Sequence, residues 1–188
     1  MNDVEKTRYI NQTRQWLEQV VIGLNLCPFA RKPFQKGQVR FAVSDSRNVE
    51  TLMQDLFDEL QILATTPAST VDTTLLIIPD QLDDFYDYND MLDLADALLE
   101  QEDWVGTFQI ATFHPAYQFA DTEAADPGNY TNRAPYPILH LLREESLEAG
   151  LASYPDPEAI PERNMDTLDN LSEAQWHSLF GGLPGARR

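Results

Sequence analysis

The order of apolar patterns along the chain predicts an α/β or α+β fold, a single layered sandwich with helices packed on a central sheet of three or more strands. Strand-like and helix-like segments alternate between residues 38 and 113, which favours crossover connections and a partly parallel sheet. The 188 residues suit one domain, and 43% hydrophobic residues can build a substantial core. An antiparallel α+β sandwich, similar to a ferredoxin-like fold, is the alternative.

The first segment, residues 3–26, places apolar side chains at helical spacing and predicts an amphipathic helix of about five turns. Gly23 and Asn25 are the expected terminators, because both tolerate the backbone conformations that end a helix. Pro28 blocks any continuation. The following segment, residues 27–36, is predicted to be a basic loop.

Three strands and two helices are predicted in the middle of the chain. Alternating or continuous apolar residues indicate strands at 38–44, 73–78 and 107–113. Apolar residues at helical spacing indicate helices at about 48–64 and 88–102. Asp45 or Ser46 is the expected N-cap of the first of these helices, since a short polar side chain accepts a hydrogen bond from first-turn amides.

The chain beyond residue 136 is predicted to be mostly helical. The run ILHLLREESLEAGL after Pro137 fits a helix that ends near Gly150, with a strand over ILHLL as the alternative. Residues 1–150 then form one α/β-type domain. Residues 151–188 are predicted to be a Pro-rich, partly mobile extension with a short helix capped by Ser172 and a frayed end.

The charge balance limits the classes of partner. Net charge is −18 and the isoelectric point is about 4.3, so a nucleic-acid backbone or an anionic membrane surface would repel the molecule. The single cysteine and the polar N-terminus MNDVEKTRYINQ predict a reducing, cytoplasmic setting without a signal peptide. We therefore expect no nucleic acid and no membrane as partner.

Charge is also distributed unevenly along the chain. Residues 48–132 contain eighteen Asp and Glu and no Lys or Arg, whereas five of the thirteen basic residues lie within 31–47. One interpretation is a solvated acidic surface beside an ordinary basic loop. The other is a local positive patch that attracts a small anion.

The segment 113–136 is the predicted location of a functional site. It is a long loop rich in aromatic, Asp, Gly, Asn and Pro residues, and long loops inside compact domains are usually functional. We expect this loop, the 27–36 loop and the 140–144 segment to form the site together.

Two of the candidate catalytic residues have a structural interpretation beside the functional one. His114 follows a predicted strand, where open α/β sheets place ligand-binding loops, and its ring would move protons or instead hold the turn before Pro115. Cys27 precedes the basic residues Arg31 and Lys32, which would lower its thiol pKa and make it a nucleophile. Its alternative role is that of a small buried apolar residue.

The segment HLLRE supplies the third catalytic candidate, His140. On a helix, His140, Arg143 and Glu144 would share one face, with the guanidinium binding an anion and the imidazole handling protons. The alternative is an Arg143 salt bridge beside a half-buried histidine. The candidate substrate-binding residues are Arg133, Arg143, Asn132 and Arg31.

Three stretches of the chain resemble a known family. They are GLNLCPFA (23–30), TFHPAYQFAD (112–121) and PGNYTNRAPYPILHLLREESL (127–147), and they are similar to a family of bacterial and plant proteins known as domain of unknown function 1415. The resemblance extends over nearly the whole chain and is weakest after Gly150. It implies no activity, cofactor or residue role.

Three hypotheses of function follow from these residues. The first is an enzyme or binder of a small anionic molecule that uses the three-segment site. The second is a non-enzymatic interaction module in which the acidic, aromatic surface at 80–96 docks on a basic protein partner. The third is a metal-binding protein that uses Cys27, His114 and His140, although no recognised ligand spacing is present and no cofactor is indicated.

Overall fold

A mixed sheet of four strands, in the order β1-β2-β4-β3, is the centre of the structure. The strands are β1 (Val39–Val43), β2 (Thr73–Ile77), β3 (Phe108–Phe113) and β4 (Ile138–Arg143). β1 and β2 are parallel, and β4 runs antiparallel to both of its neighbours, β2 and β3. The prediction of a partly parallel central sheet is confirmed. This is a computed structural model that describes residues 1–183, so most of the predicted frayed end lies outside it.

Helices pack on both faces of this sheet, as predicted for an α/β protein. They are α1 (Asp3–Trp16), a π-helical continuation (Leu17–Ile22), α2 (Arg31–Gln35), α3 (Val49–Thr65), α4 (Phe85–Gln101), α5 (Glu144–Ala152), α6 (Ile160–Asp169) and α7 (Glu173–Phe180). Two 3₁₀ turns, Pro127–Thr131 and Pro157–Ala159, precede β4 and α6. Within residues 1–183, no helix is long and apolar enough to cross a membrane.

Strand β2 shows how the sheet divides the interior into two cores. Leu75 and Ile77 belong to the core beneath α1, which we call the α1 face. Leu76 and Ile78 belong to the core beneath α3 and α4, the α3–α4 face. Because both faces of β2 are covered, residues 75–78 form a continuous apolar run without polar alternation.

The predicted helix after Pro137 is wrong in its first half, where the structure has strand β4. Ile138, Leu139 and Leu141 are completely buried between two helical layers, and β4 pairs on both edges with β2 and β3. A central strand covered on both faces carries apolar residues at every position, so its pattern is easily taken for a helix. The strand alternative for ILHLL was therefore correct, and the helix begins only at Glu144.

The N-terminal helix is confirmed, but its last six residues form a π-helix. The wider turn continues to Leu26, whose amide donates to the Val21 carbonyl, five residues earlier, at 2.9 Å. Asn25 has a left-handed backbone with φ of 55° and ends the helix, as predicted. Gly23, the other predicted terminator, is the C-cap of the π-helix, although its own backbone stays right-handed helical.

Two helices begin at residues other than those predicted. Asn48 is the N-cap of α3 through a hydrogen bond of 2.9 Å from the Thr51 amide to its side chain, so Asp45 and Ser46 are not the caps. Helix α4 begins at Phe85 because Asp84 caps it. In both cases the nearest Asx residue ahead of the apolar pattern accepts the first-turn amides.

The C-terminal segment adds two helices to the α1 face. Helix α6 lies in the Pro-rich extension, where only the helix capped by Ser172 was predicted. Pro161 occupies the first turn of α6, where no amide donor is needed. Helix α7 has the predicted cap at Ser172, which forms a capping box with Gln175. Trp176 and Phe180 are buried against Tyr130 at ring-centroid distances of 4.7 and 5.0 Å. The segment 151–183 therefore contributes to the core.

Candidate functional site

A cavity of about 210 Å³ lies between the sheet and the N-terminal helix, on the α1 face. The sheet side is formed by Val39, Thr73, Leu75, Ala111, Phe113, His140 and Leu142. The opposite wall is formed by Trp16, Leu17, Val21, Cys27, Phe29, Ala30 and Pro33. Asp72, Arg143, Ser146 and Leu147 complete the lining. The wall is mostly apolar, and an apolar cavity of about 150 Å³ already accommodates benzene.

The register of the sheet explains the open space. Leu75, His140 and Ala111 are direct cross-strand neighbours on β2, β4 and β3, so their side chains share the α1 face. The small side chain of Ala111 fills little of the volume above the sheet. Beside it, Phe113 packs edge-on against Trp16 at 5.2 Å, and both rings line the cavity.

The segment after the π-helix forms the outer wall of the cavity. Phe29 packs edge-on against Tyr154 at 5.6 Å and lies over Gly150 near the end of α5. A Cβ atom on Gly150 would lie 2.9 Å from Cδ1 of Phe29, closer than carbon atoms normally approach. Because Gly150 has no side chain, the ring of Phe29 can pack against α5 and form part of the cavity wall.

Thr73 and His140 form a polar pair in the lining. Oγ1 of Thr73 lies 2.7 Å from Nε2 of His140 and donates to the Leu141 carbonyl at 2.6 Å. Burial in apolar surroundings lowers the pKa of His140 to about 4, so the imidazole is neutral at pH 7. The prediction that His140 shares a face with Arg143 is wrong, because successive residues of a strand point to opposite faces and these two residues are three positions apart on β4.

Cys27 lies in the cavity wall with its thiol protonated. Burial raises the pKa of the thiol above its ordinary value, and hydrogen bonds from the amides of Phe29 and Ala30 oppose this effect only in part. The expectation that the basic loop lowers this pKa is therefore wrong. Cys27 packs with the partly buried apolar residues of the α1 face, which matches the structural interpretation.

His114 is buried away from this cavity and is held by the backbone at both ring nitrogens. Nε2 lies 2.9 Å from the Leu82 carbonyl, and Nδ1 accepts a hydrogen bond of 3.0 Å from the Ala116 amide. Burial lowers the pKa of His114, although the Leu82 carbonyl and the charges of Asp83 and Asp84 oppose that effect. The neutral ring thus holds the turn after β3. Its predicted catalytic role has no free nitrogen to use.

Arg133 and Asn132 hold the loop 113–136 in place. Arg133 is 2% exposed, and its guanidinium donates to the carbonyls of Tyr117 and Ala124 at 3.1 and 2.7 Å. Asn132 donates from Nδ2 to a carbonyl of β3 at 3.0 Å. Both side chains thus satisfy backbone acceptors that the irregular loop would otherwise leave unpaired.

The guanidinium groups of Arg143 and Arg31 also bond to main-chain carbonyls. Nη2 of Arg143 donates at 2.6 to 3.0 Å to three carbonyls, those of Leu63, Thr66 and Val71. This guanidinium lies 6.0 Å from the ring centroid of Phe108, which belongs to the core of the α3–α4 face. Nη2 of Arg31 donates to the carbonyl that ends the π-helix, at 3.1 Å. The structure therefore gives both residues a capping role.

The structure brings together only part of the predicted three-segment site. Cys27 and His140 line one cavity, so residues 27–36 do meet the 140–144 segment, and Phe113 joins them. Residues 27–36 were predicted as a loop, but they contain helix α2. The residues after Phe113 in the long loop do not line the cavity. Among residues 1–183, no three His, Cys, Asp or Glu side chains are grouped to hold a metal ion, so the set Cys27, His114 and His140 is not assembled.

A second, open cleft of about 500 Å³ lies beside the start of α4. It is lined by residues 83–86, residues 116, 118–121 and 124, and Arg133. Tyr86 is 77% exposed and Phe119 40% exposed, and the carboxylates of Asp83, Asp84 and Asp121 surround them. This cleft contains part of the acidic, aromatic surface predicted at 80–96.

Sequence reasoning missed two residues that shape the cavity, Thr73 and Ala111. Thr73 and Thr74 precede the apolar residues of β2, and a hydroxyl at the end of an apolar run is a weak signal of a polar partner. Ala111 is a small residue in the middle of a strand of larger ones. Neither signal identifies a cavity, because the cross-strand register that aligns them with His140 is not visible in the sequence.

The fold and the cavity define an α/β protein with a mixed four-stranded sheet between two helical layers and an apolar cavity under its N-terminal helix. The chain belongs to the family described as "Protein of unknown function (DUF1415)", whose family model matches residues 8–178. No curated protein and no solved structure matches the chain.

Proposed function

We propose that this protein binds a small, largely apolar organic molecule in the cavity between the sheet and the N-terminal helix. The observation that carries the proposal is the cavity itself, about 210 Å³ of space with a mostly apolar wall. Its polar lining includes the neutral pair Thr73 and His140 and the hydrogen-bonded pair Ser146 and Asp72. Ligand sites are typically concave and apolar with a few placed polar groups. A single ring with one or two substituents matches this volume.

An uncharged ligand fits this cavity better than the small anion expected from the sequence. The guanidinium groups of Arg133 and Arg143 donate to backbone carbonyls, and the imidazole of His140 is neutral. An anion here would lose its hydration without gaining an opposite charge. Binding also suits the residues better than thiol catalysis, because the pKa of Cys27 is raised. In the cytoplasmic setting that we expect, this thiol would stay reduced.

The proposal predicts that toluene or a similar one-ring probe stabilises the folded protein. A ligand that binds only the native state raises stability in proportion to the logarithm of its concentration above Kd. We expect the melting temperature to rise with toluene concentration, and calorimetry to give a saturable binding isotherm. An Ala111→Leu variant places a larger side chain in the cavity and should abolish both effects.

The matched control is Ala149→Leu, which makes the same change at an exposed position of α5. This variant should bind toluene like the natural protein. The proposal fails if no one-ring or aliphatic probe binds, or if Ala111→Leu remains folded and binds as well as Ala149→Leu does.

A second function, docking of a basic protein segment, is favoured by the exposed Tyr86 and Phe119 beside the acidic cleft. Aromatic side chains are common energetic anchors in interfaces, and the surrounding carboxylates complement Lys or Arg. The cleft is separate from the cavity, so both functions are compatible.

This second function is tested with a fluorescent Lys-rich peptide. Asp83→Asn combined with Asp121→Asn should weaken its binding several-fold, and added salt should weaken it further. Asp58→Asn combined with Asp90→Asn, a matched pair of exposed carboxylates outside the cleft, should have little effect. Equal loss in both double variants would show only general attraction to an acidic protein.

A further inference from the structure

The hydrogen bonds of Thr73 determine where the proton on His140 lies. A hydroxyl has one proton, and the Thr73 hydroxyl donates it to the Leu141 carbonyl at 2.6 Å. The carbonyl oxygen has no proton, so it can only accept in this hydrogen bond. Because Oγ1 has no second proton, it must accept from Nε2 of His140, which lies 2.7 Å away. The neutral imidazole therefore carries its proton on Nε2 and a lone pair on Nδ1.

Within residues 1–183, no group donates a hydrogen bond to the lone pair on Nδ1 of His140, although this atom is not fully buried. The buried side-chain nitrogen and oxygen atoms that lack a partner in the described chain are Oγ1 of Thr13, Oγ1 of Thr74, Nε of Arg143 and Nη2 of Arg163. Nδ1 of His140 is not one of them, so a molecule the size of water reaches it. His140 borders the cavity, and Nδ1 is thus an acceptor available to a molecule bound there.

We infer that the ligand of this cavity is an uncharged molecule with one hydroxyl or N–H group, which donates a hydrogen bond to Nδ1 of His140. This inference rests on the proposed binding function and specifies the class of ligand, such as a phenol, an alcohol or a pyrrole-type heterocycle. A carboxylate is excluded at this position for two reasons. It has no proton to donate to Nδ1, and its charge would be buried without an opposite charge. Thr73 is a positioning residue, since its hydroxyl fixes the tautomer and the ring orientation.

The test compares three probes of similar size in calorimetric titrations. Phenol has a hydroxyl donor, anisole has an ether oxygen that only accepts, and toluene has neither. The natural protein should bind phenol about tenfold more tightly than anisole, since one neutral hydrogen bond contributes about that factor. His140→Leu should remove this preference and retain toluene binding. Thr73→Val should reduce the preference, and Thr73→Ser, which keeps the hydroxyl, should restore it.

A neighbouring carboxylate provides the control for the acceptor. Asp72 also borders the cavity, where it accepts a hydrogen bond of 2.6 Å from the Ser146 hydroxyl. Asp72→Asn should leave the preference for phenol unchanged, and loss of the preference in this variant would assign the acceptor to Asp72 and overturn the inference. If toluene, anisole and phenol bind equally, the donor requirement is wrong while the binding function stands. If none of the three binds, both are wrong.

Discussion

At the scale of single residues, the two neutral histidines, His114 and His140, differ in what their ring nitrogens contact. Both nitrogens of His114 are bonded to backbone groups, whereas His140 is anchored at Nε2 alone and borders a cavity. The burial that lowers both pKa values is the same physical effect. The first ring is therefore part of the scaffold, and the second is available to a ligand.

The low pKa of His140 predicts a loss of stability on acidification. In the unfolded chain His140 gains a proton near pH 6.5, whereas in the folded protein it gains one only near pH 4. The free energy of unfolding therefore falls as the pH drops through this window. The free energy of unfolding should decrease by about 3 kcal/mol relative to a His140→Leu variant measured in parallel. Urea titrations at half-unit steps from pH 7 to pH 4 measure this difference.

The other ionisable groups around the cavity must be separated from His140. They are Cys27, Asp72 and Arg143, and Asp72 is the carboxyl group among them. The comparison is therefore repeated in an Asp72→Asn background. If the difference in stability between the natural protein and the His140→Leu variant stays constant with pH, His140 titrates like a solvated imidazole.

The contacts of His114 and Arg133 predict that both residues act on stability. His114→Ala leaves the Leu82 carbonyl and the Ala116 amide unpaired, and Arg133→Ala releases two loop carbonyls. Each change should lower the free energy of unfolding by about 2 to 4 kcal/mol. Tyr86→Ala, at an exposed position, should change it by less than about 0.5 kcal/mol.

Chemical denaturation of these three variants gives the values directly. Unchanged stability in His114→Ala or Arg133→Ala would mean that the backbone bonds contribute little. The same result would make His114 and Arg133 candidates for a functional role again.

At the scale of elements, the cavity depends on how the N-terminal helix and α5 meet. The π-helix carries Leu17 and Val21 to one wall, and Phe29 forms the outer wall because Gly150 leaves room for it. A π-helical turn is rare and often marks a functional position in a helix. Here it lies directly over the cavity.

The contact between Phe29 and Gly150 predicts a coupled effect on stability. Gly150→Ala adds a methyl 2.9 Å from the Phe29 ring, and such overpacking costs about 1 to 3 kcal/mol. In a Phe29→Leu background the same change should instead stabilise α5 by up to about 1 kcal/mol, through helix propensity. A double-mutant cycle from urea denaturation measures the coupling, which we expect to be at least about 1 kcal/mol.

The exposed neighbour Ala149 provides the control for this cycle. Ala149→Gly should show no coupling to Phe29→Leu beyond about 0.5 kcal/mol. If the Gly150 cycle is equally additive, Phe29 does not depend on Gly150 for its position. The toluene affinity of each variant then shows whether the wall still closes the cavity.

At the scale of the whole molecule, the C-terminal segment covers the α1 face. Leu168 and Phe180 are completely buried, and Trp176 is 6% exposed, in the same core as Leu75 and Ile77. Nδ2 of Asn164 also donates to the carbonyl of Leu26, just after the N-terminal helix, at 2.7 Å. The two ends of the chain thus support each other across one core.

This packing predicts that a chain ending at residue 150 lacks a cooperative unfolding transition, because it would expose Tyr130 and its neighbours. Phe180→Ala in the full chain should cost about 3 to 5 kcal/mol, as expected for a large buried ring. Calorimetry of the 1–150 chain beside the full chain tests the predicted domain boundary at residue 150, and a cooperative 1–150 chain would confirm that boundary.

Local patterns explain which elements were predicted correctly. Helices α1, α3 and α4 have amphipathic spacing, and β1 and β3 lie between clear turn residues, so each is recognisable in isolation. Strand β4 was not, because a strand covered on both faces has the same uniform apolar composition as a buried helix. Helix α6 was missed because Pro161 counts against a helix everywhere except in its first turn.

The sequence by itself determined the fold class, the resemblance to its family and the two loops that carry Cys27 and His114, because these follow from local composition and spacing. Only the tertiary structure decided which polar groups are free. Arginines that looked like anion ligands donate to distant backbone carbonyls, such as those 72 to 80 residues from Arg143. The cavity exists because cross-strand register aligns Leu75, His140 and Ala111, and register depends on pairing between segments that are far apart in the chain.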